Sequence, residues 1–162
     1  MSLLDLDERL LDIAAMADIV RSPIVDGKEL PPVDIALVEG SVTSDEHAAE
    51  LQHIRRQSRL LVSLGDCAIT TNVTGMRNAF RVADLLRNAY AEAASNDGHG
   101  SMPGDSALLT LQDKVLPLHE LVAVDYMIPG CPPDADTIFY VLSELLQDRV
   151  PDLAAQQKLK YG

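Results

Sequence analysis

Short aliphatic runs that alternate with helical periodicity are the feature that most narrows what this chain can fold into. Asp34-Ile-Ala-Leu-Val38 and Leu60-Leu-Val-Ser-Leu64 have the length and branching of strands buried on both faces. Val122 to Met127 reads as a last strand. Amphipathic stretches lie between and after these runs. Strand and helix in alternation predict an α/β domain, a parallel sheet with helices on both faces. In such folds ligands bind beyond the carboxyl ends of the strands.

The helices have their own signals. Ser2 to about Ala17 reads as a helix with Ser2 as cap and Leu3, Leu6, Leu10, Ile13 and Ala17 as its apolar stripe. Asp18 to Pro23 suits a short strand, and Asp26-Gly27 and Pro31-Pro32 punctuate the loop after it. Thr43-Ser-Asp-Glu46 reads as a capping box for a helix that turns basic at Arg55, Arg56 and Arg59. A long helix is expected from about Val73 to Ala94, with Val73, Met76, Phe80, Ala83 and Leu86 on one face. Ser95 to Ser106 reads as a surface loop. A last helix from Asp134 to about Gln147 buries Ile138, Val141, Leu142, Leu145 and Leu146, and Val150-Pro151 stops it. One domain over 1–150 with a polar, frayed tail over 151–162 accounts for the whole chain. Opening on a helix is unusual for such a sheet and suggests that a first strand is missing, which would leave an unpaired edge or a groove.

With 162 residues the chain can bury a sizeable core. That core must be aliphatic, because there is no Trp and aromatics are 4%. A net charge of −12 argues against nucleic acid and against anionic membrane surfaces as partners. No run approaches the ~20 apolar residues of a membrane span. The acidic N-terminus lacks signal-peptide character, and two cysteines make no disulfide framework. These features predict a reduced, cytoplasmic protein.

Cys67 and Cys131 are the only cysteines, and each follows a predicted strand. Either can be a small buried hydrophobe. Their contexts favour more. Gly65 permits close backbone approach to a bulky ligand. Gly130-Cys131-Pro132-Pro133 is a stiff turn ahead of a helix, and the positive end of a helix favours thiolate. Glu39 falls at a third predicted carboxyl end. Two thiolates are half of what an ordinary iron–sulfur cube requires.

Other candidates are weaker. Asp5, Asp7 and Glu8 read as a solvated face. Asn72 to Asn78 suits either helix-start chemistry or a partner contact. His47 and His53 do not share a helix face as i,i+4 ligands would. His119 suits a structural hydrogen bond better than a proton relay. No phosphate loop, dinucleotide fingerprint or Ser/His/Asp set is present.

Gly65-Asp-Cys-Ala-Ile-Thr-Thr-Asn-Val-Thr-Gly-Met-Arg-Asn78, together with Ile128-Pro-Gly-Cys-Pro-Pro-Asp134, resembles the small subunit of nickel–iron hydrogenases. The similarity is to the cytoplasmic, bidirectional, NAD(P)-linked group, within the superfamily of the complex I 20 kDa subunit. Ser2-Leu-Leu-Asp-Leu-Asp and Val38-Glu-Gly-Ser-Val42 extend the match over nearly the whole chain. The resemblance implies a flavodoxin-like fold and one 4Fe–4S cluster beside the nickel–iron site of a large subunit. It implies Cys67 and Cys131 as the third and fourth cluster ligands. Glu39, Gly65, Gly130 and Pro132 would surround the cluster. The first two ligands of that family form a Cys-x-x-Cys after an opening strand, immediately before the Ser2 segment. The expectation is therefore a natural reading frame that starts upstream of Met1.

The function so implied is electron transfer between hydrogen chemistry in the large subunit and NAD(P), through iron–sulfur and flavin diaphorase subunits. A different class of reading is a cluster-free interaction module that docks on a redox complex. A flavin-binding domain is a third, resting on Thr43-Ser44 as a phosphate-loop signal; fold alone does not imply function.

Overall fold

The computed structural model describes residues 4–22 and 29–161. Three parallel strands form the sheet: β1 (Val33–Glu39), β3 (Ser58–Leu64) and β5 (Tyr126–Ile128), in the order β1-β3-β5. Between β1 and β3 run β2 (Val42–Ser44) and helix α2 (Asp45–Gln57). Between β3 and β5 run α3 (Asp66–Thr70), α4 (Val82–Leu86) and β4 (Leu111–Leu116). Helices α1 (Arg9–Met16) and α5 (Ala135–Leu146) open and close the domain. The expected parallel α/β sheet is present. β1 and β3 are direct neighbours, so the described parallel strands leave no gap among them.

The period of 2 in β3 divides the core. Val62 faces a cluster with Ile128 of β5, Leu6, Ile13 of α1, and Ile138, Val141, Leu142 and Leu145 of α5. Leu61 faces the opposite cluster, with Val42, Leu51 of α2, Ala68 of α3, and Leu118. Each fully buried Leu or Ile contributes about 1.5–3 kcal/mol. The α5 stripe is thus read correctly from its spacing. Asp134 caps the helix, its carboxylate accepting from the Thr137 amide at 2.8 Å and the Thr137 hydroxyl at 2.8 Å. Burial raises the Asp134 pKa, but those bonds and the charges of Lys158 and Lys160 outweigh it, and the carboxyl stays below its ordinary value.

Several expected elements differ. Ser2 and Leu3 lie outside the described residues, as do Pro23 and Asp26-Gly27. The opening helix is broken at Asp7, which is left-handed (φ 55°), into a 3-10 turn at Leu4–Leu6 and α1. The break lets both Leu6 and Ile13 reach the core. Residues 18–22 form no strand beyond an isolated bridge at Ser22. The cap of α2 is Ser44, one residue later than the expected box, accepting from the His47 amide at 3.2 Å. Its hydroxyl is therefore engaged, which counts against a phosphate loop at Thr43-Ser44.

The long helix over 73–94 does not form as one element: within it only Val82–Leu86 is α-helical, continuing as a π-helical turn over Arg87–Ala91. α3 stops at Thr71 and Asn72, both left-handed (φ 66° and 40°), and a 3-10 stretch over Asn72–Ala79 follows. Arg77 donates to the carbonyls of Thr43 at 3.2 Å and Gln112 at 2.9 Å. Asn78 pairs with the Val115 backbone in both directions, at 2.9 and 2.7 Å. These bonds dock the segment on β4 and oppose continuous helix. The expected buried face is open: Val73 is 65%, Met76 71% and Phe80 62% exposed.

The antiparallel β2–β4 ribbon, with Val42 opposite Leu116, was not legible in the sequence. The last strand is shorter and later than Val122–Met127. Val122 and Val124 pack as irregular chain against the α2-side core. Asp125 extends the pairing instead. Its amide donates to the Leu61 carbonyl at 2.9 Å, and its carboxylate accepts from the Leu61 amide at 2.8 Å and from Arg55 at 2.6 Å. No helix among the described residues is long and apolar enough to cross a membrane.

Candidate metal centre

The register levels the carboxyl ends of the sheet. Glu39 of β1 lies opposite Leu64 of β3, and Leu64 opposite Ile128 of β5. Cys67 stands three residues beyond Leu64, and Cys131 three beyond Ile128. Adjacent parallel strands therefore deliver both thiols to one edge.

The two turns are bonded to each other. The Gly65 amide donates to the Ile128 carbonyl at 2.8 Å, and the Asp66 amide to the Gly130 carbonyl at 2.9 Å. The Asp66 carboxylate accepts from the Gly130 amide at 2.7 Å. Asp66 is only 3% exposed. A carboxylate on a backbone N–H is a charge-assisted bond, stronger than its neutral counterpart. These three bonds carry the β3–β5 pairing past the strand ends and fix one turn relative to the other.

Glycine is required at both turns. Gly65 has φ 85°. Gly130 has φ 134°, and a Cβ there would lie 2.6 Å from Pro133 Cα and 2.8 Å from Pro133 N. Pro132 follows a cis peptide bond from Cys131. Both cysteines are free; Cys67 is half-buried and Cys131 exposed. Cys131 and Pro132 open on a cavity of about 270 Å³ that Lys160 and Tyr161 also line. Two residues of the tail thus lie against this turn.

Thiolates are soft ligands suited to iron–sulfur clusters. Cys67 and Cys131 fit that chemistry as two ligands of a set. A cube takes four, and no group of three or more His, Cys, Asp or Glu that could hold a metal gathers among the described residues. Glu39 ends β1, exposed, and its side chain makes no hydrogen bond or ion pair among the described residues. His47 meets Thr43 at 3.0 Å, and the exposed His119 makes no side-chain hydrogen bond among them. Asp66 is the residue that spacing missed. Its only signal was its position between Gly65 and Cys67.

An α/β domain with two thiols held at the carboxyl edge of a parallel sheet is the class that fold and site define. Residues 1–145 match the family model of the NADH ubiquinone oxidoreductase 20 kDa subunit. The chain is 40% identical to the delta subunit of the NAD-reducing hydrogenase HoxS of Cupriavidus necator, over 94% of this chain and 75% of that one. It is 34% identical to the G subunit of the F420-non-reducing hydrogenase vhu of Methanococcus voltae, over 94% of this chain and only 53% of the relative. In structure it matches a chain of an NAD+-reducing nickel–iron hydrogenase crystallised in the H2-reduced state. The TM-score is 0.95 at 39% identity, covering 100% of this chain and 90% of that one. The chain belongs to the 20 kDa subunit family, and within it to the small subunits of NAD-reducing nickel–iron hydrogenase complexes.

Proposed function

We propose that this chain is an electron-transfer subunit, using Cys67 and Cys131 as two ligands of a 4Fe–4S cluster completed by further ligands. The observation that supports this most is the bonding of the two cysteine turns through Asp66 and Gly130. When bound, such a cluster supplies a one-electron relay. The chain's own residues do the rest. Asp66 keeps the turns at a constant separation, so the ligands are pre-organised. Gly65 and Gly130 keep side chains out of the space between them. Pro132, Pro133 and the Asp134 cap stiffen the turn that leads into α5. Glu39 borders the same edge.

In this reading hydrogen is split or formed in a partner large subunit with a nickel–iron site. Electrons then travel through iron–sulfur and flavin diaphorase subunits to NAD(P), in the cytoplasm. The exposed Val73, Met76 and Phe80, directly after the Cys67 helix, suit contact with such a partner. Residues 1–150 act as the cluster-bearing unit.

The test is iron and acid-labile sulfide analysis, with low-temperature electron paramagnetic resonance, on the complex purified anaerobically from its native host. Loss of one cluster signal in both Cys67→Ser and Cys131→Ser, with the other signals intact, supports the reading. An unchanged set of signals in both variants overturns it. The outcome would then favour a cluster-free docking module, for which the presence of only two thiols already speaks.

A further inference from the structure

The chain after Val150 doubles back on the domain. The Asp152 amide donates to the Tyr140 hydroxyl at 3.1 Å, and Leu153 packs on the α1/α5 core. The Lys158 amide then donates to the Leu153 carbonyl at 2.8 Å. This path brings Lys160 and Tyr161 into one cavity wall with Cys131 and Asp134.

The charge brought there is unusual for this molecule. The net charge is −12, and the chain has only four lysines, Lys28, Lys114, Lys158 and Lys160. Lys160 lines the cavity beside the Cys131 turn, and both Lys158 and Lys160 lie near enough to Asp134 for their charges to act on its carboxylate. Neither makes an ion pair among the described residues. Asp136, the next acid along, is engaged by Arg9 at 2.6 Å. Both ammonium charges act on Asp134.

We propose that Lys160, seconded by Lys158, sets the reduction potential of the group bound through Cys131. This rests on the cluster reading above. Reduction adds one electron and hence one negative charge to the bound group. A fixed positive charge nearby lowers the energy of that state by Coulomb attraction and raises the potential. No bond forms or breaks at either lysine. The electron arrives from hydrogen oxidation in the complex and leaves toward NAD(P), and the lysine charge is the same before and after. Because the tail is largely exposed, the effect is screened by salt.

The experiment is a redox titration of the intact, anaerobically purified complex, following the cluster signal that depends on Cys67 and Cys131. Lys158→Gln/Lys160→Gln is expected to shift the midpoint potential to a more negative value at unchanged iron content. The gap from wild type narrows as ionic strength rises, and Lys160→Arg keeps the wild-type potential. An unchanged potential in the double variant, at equal iron content, overturns the proposal while leaving the cluster reading standing. Absence of any Cys67- and Cys131-dependent signal in the wild-type complex overturns both.

Discussion

The two cysteine turns and the segment over 72–111 use the same ingredients to opposite ends. Both hold polar side chains that bond to backbone on another element. At the turns, buried Asp66 joins Gly130 within the body of the fold, and Pro133 closes on both glycines. In the 72–111 segment, Arg77 and Asn78 reach β4, and the apolar residues around them, Val73, Met76 and Phe80, are turned outward. One region is closed on itself. The other leaves hydrophobic area that the described residues do not cover. The difference teaches that an apolar stripe at helical spacing is not by itself a core face. Side-chain bonds to a neighbouring strand can take precedence over the helix that the stripe predicts.

The largest expected effect tests the closed region. Gly130→Ala forces a Cβ against the Pro133 backbone at a positive φ, and about 2–4 kcal/mol of stability should be lost. Urea denaturation read by circular dichroism measures this, and a loss below about 1 kcal/mol would show the turn to be compliant. Asp66→Ala comes next. It strands the buried Gly130 amide, and a loss of about 2–3 kcal/mol is expected, with Asp66→Asn recovering part of it through its carbonyl oxygen.

The open region should respond less. Asn78→Ala removes both bonds to Val115 and should cost about 1–2 kcal/mol by the same urea assay. Slowed amide exchange at Val115 in wild type, lost in the variant, identifies that bond as the cause. The smallest effect belongs to Met76→Ser/Phe80→Ser, expected to stay within about 0.5 kcal/mol because both side chains are already exposed. A loss of 2 kcal/mol or more would mean that these residues pack within the isolated chain, and the contrast between the two regions would fail.

What was legible follows from locality. β1 and β3 announce themselves as short branched runs, and α5 by its stripe and its Asp134 cap, because each is decided by neighbours in sequence. The Gly-Asp-Cys and Gly-Cys-Pro-Pro motifs were visible for the same reason. The β2–β4 ribbon was hidden, since Gln112, Asp113 and Lys114 give β4 no apolar signature and its pairing depends on a distant segment. Asp125 replaced part of an expected strand by bonding to Leu61 across the fold.

The sequence by itself determined the parallel α/β class, the aliphatic core and the pairing of one cysteine with each of two strand ends. Period and composition act through residues a few positions apart, and they need no partner to be read. Tertiary structure alone decided that the two ends are level, that buried Asp66 ties them together, that the 73–94 helix is interrupted, and that the tail brings Lys160 into a cavity wall with Cys131. Each of those depends on contacts between residues far apart in the chain. Their energies exist only once the sheet has brought the partners to within a hydrogen bond's reach.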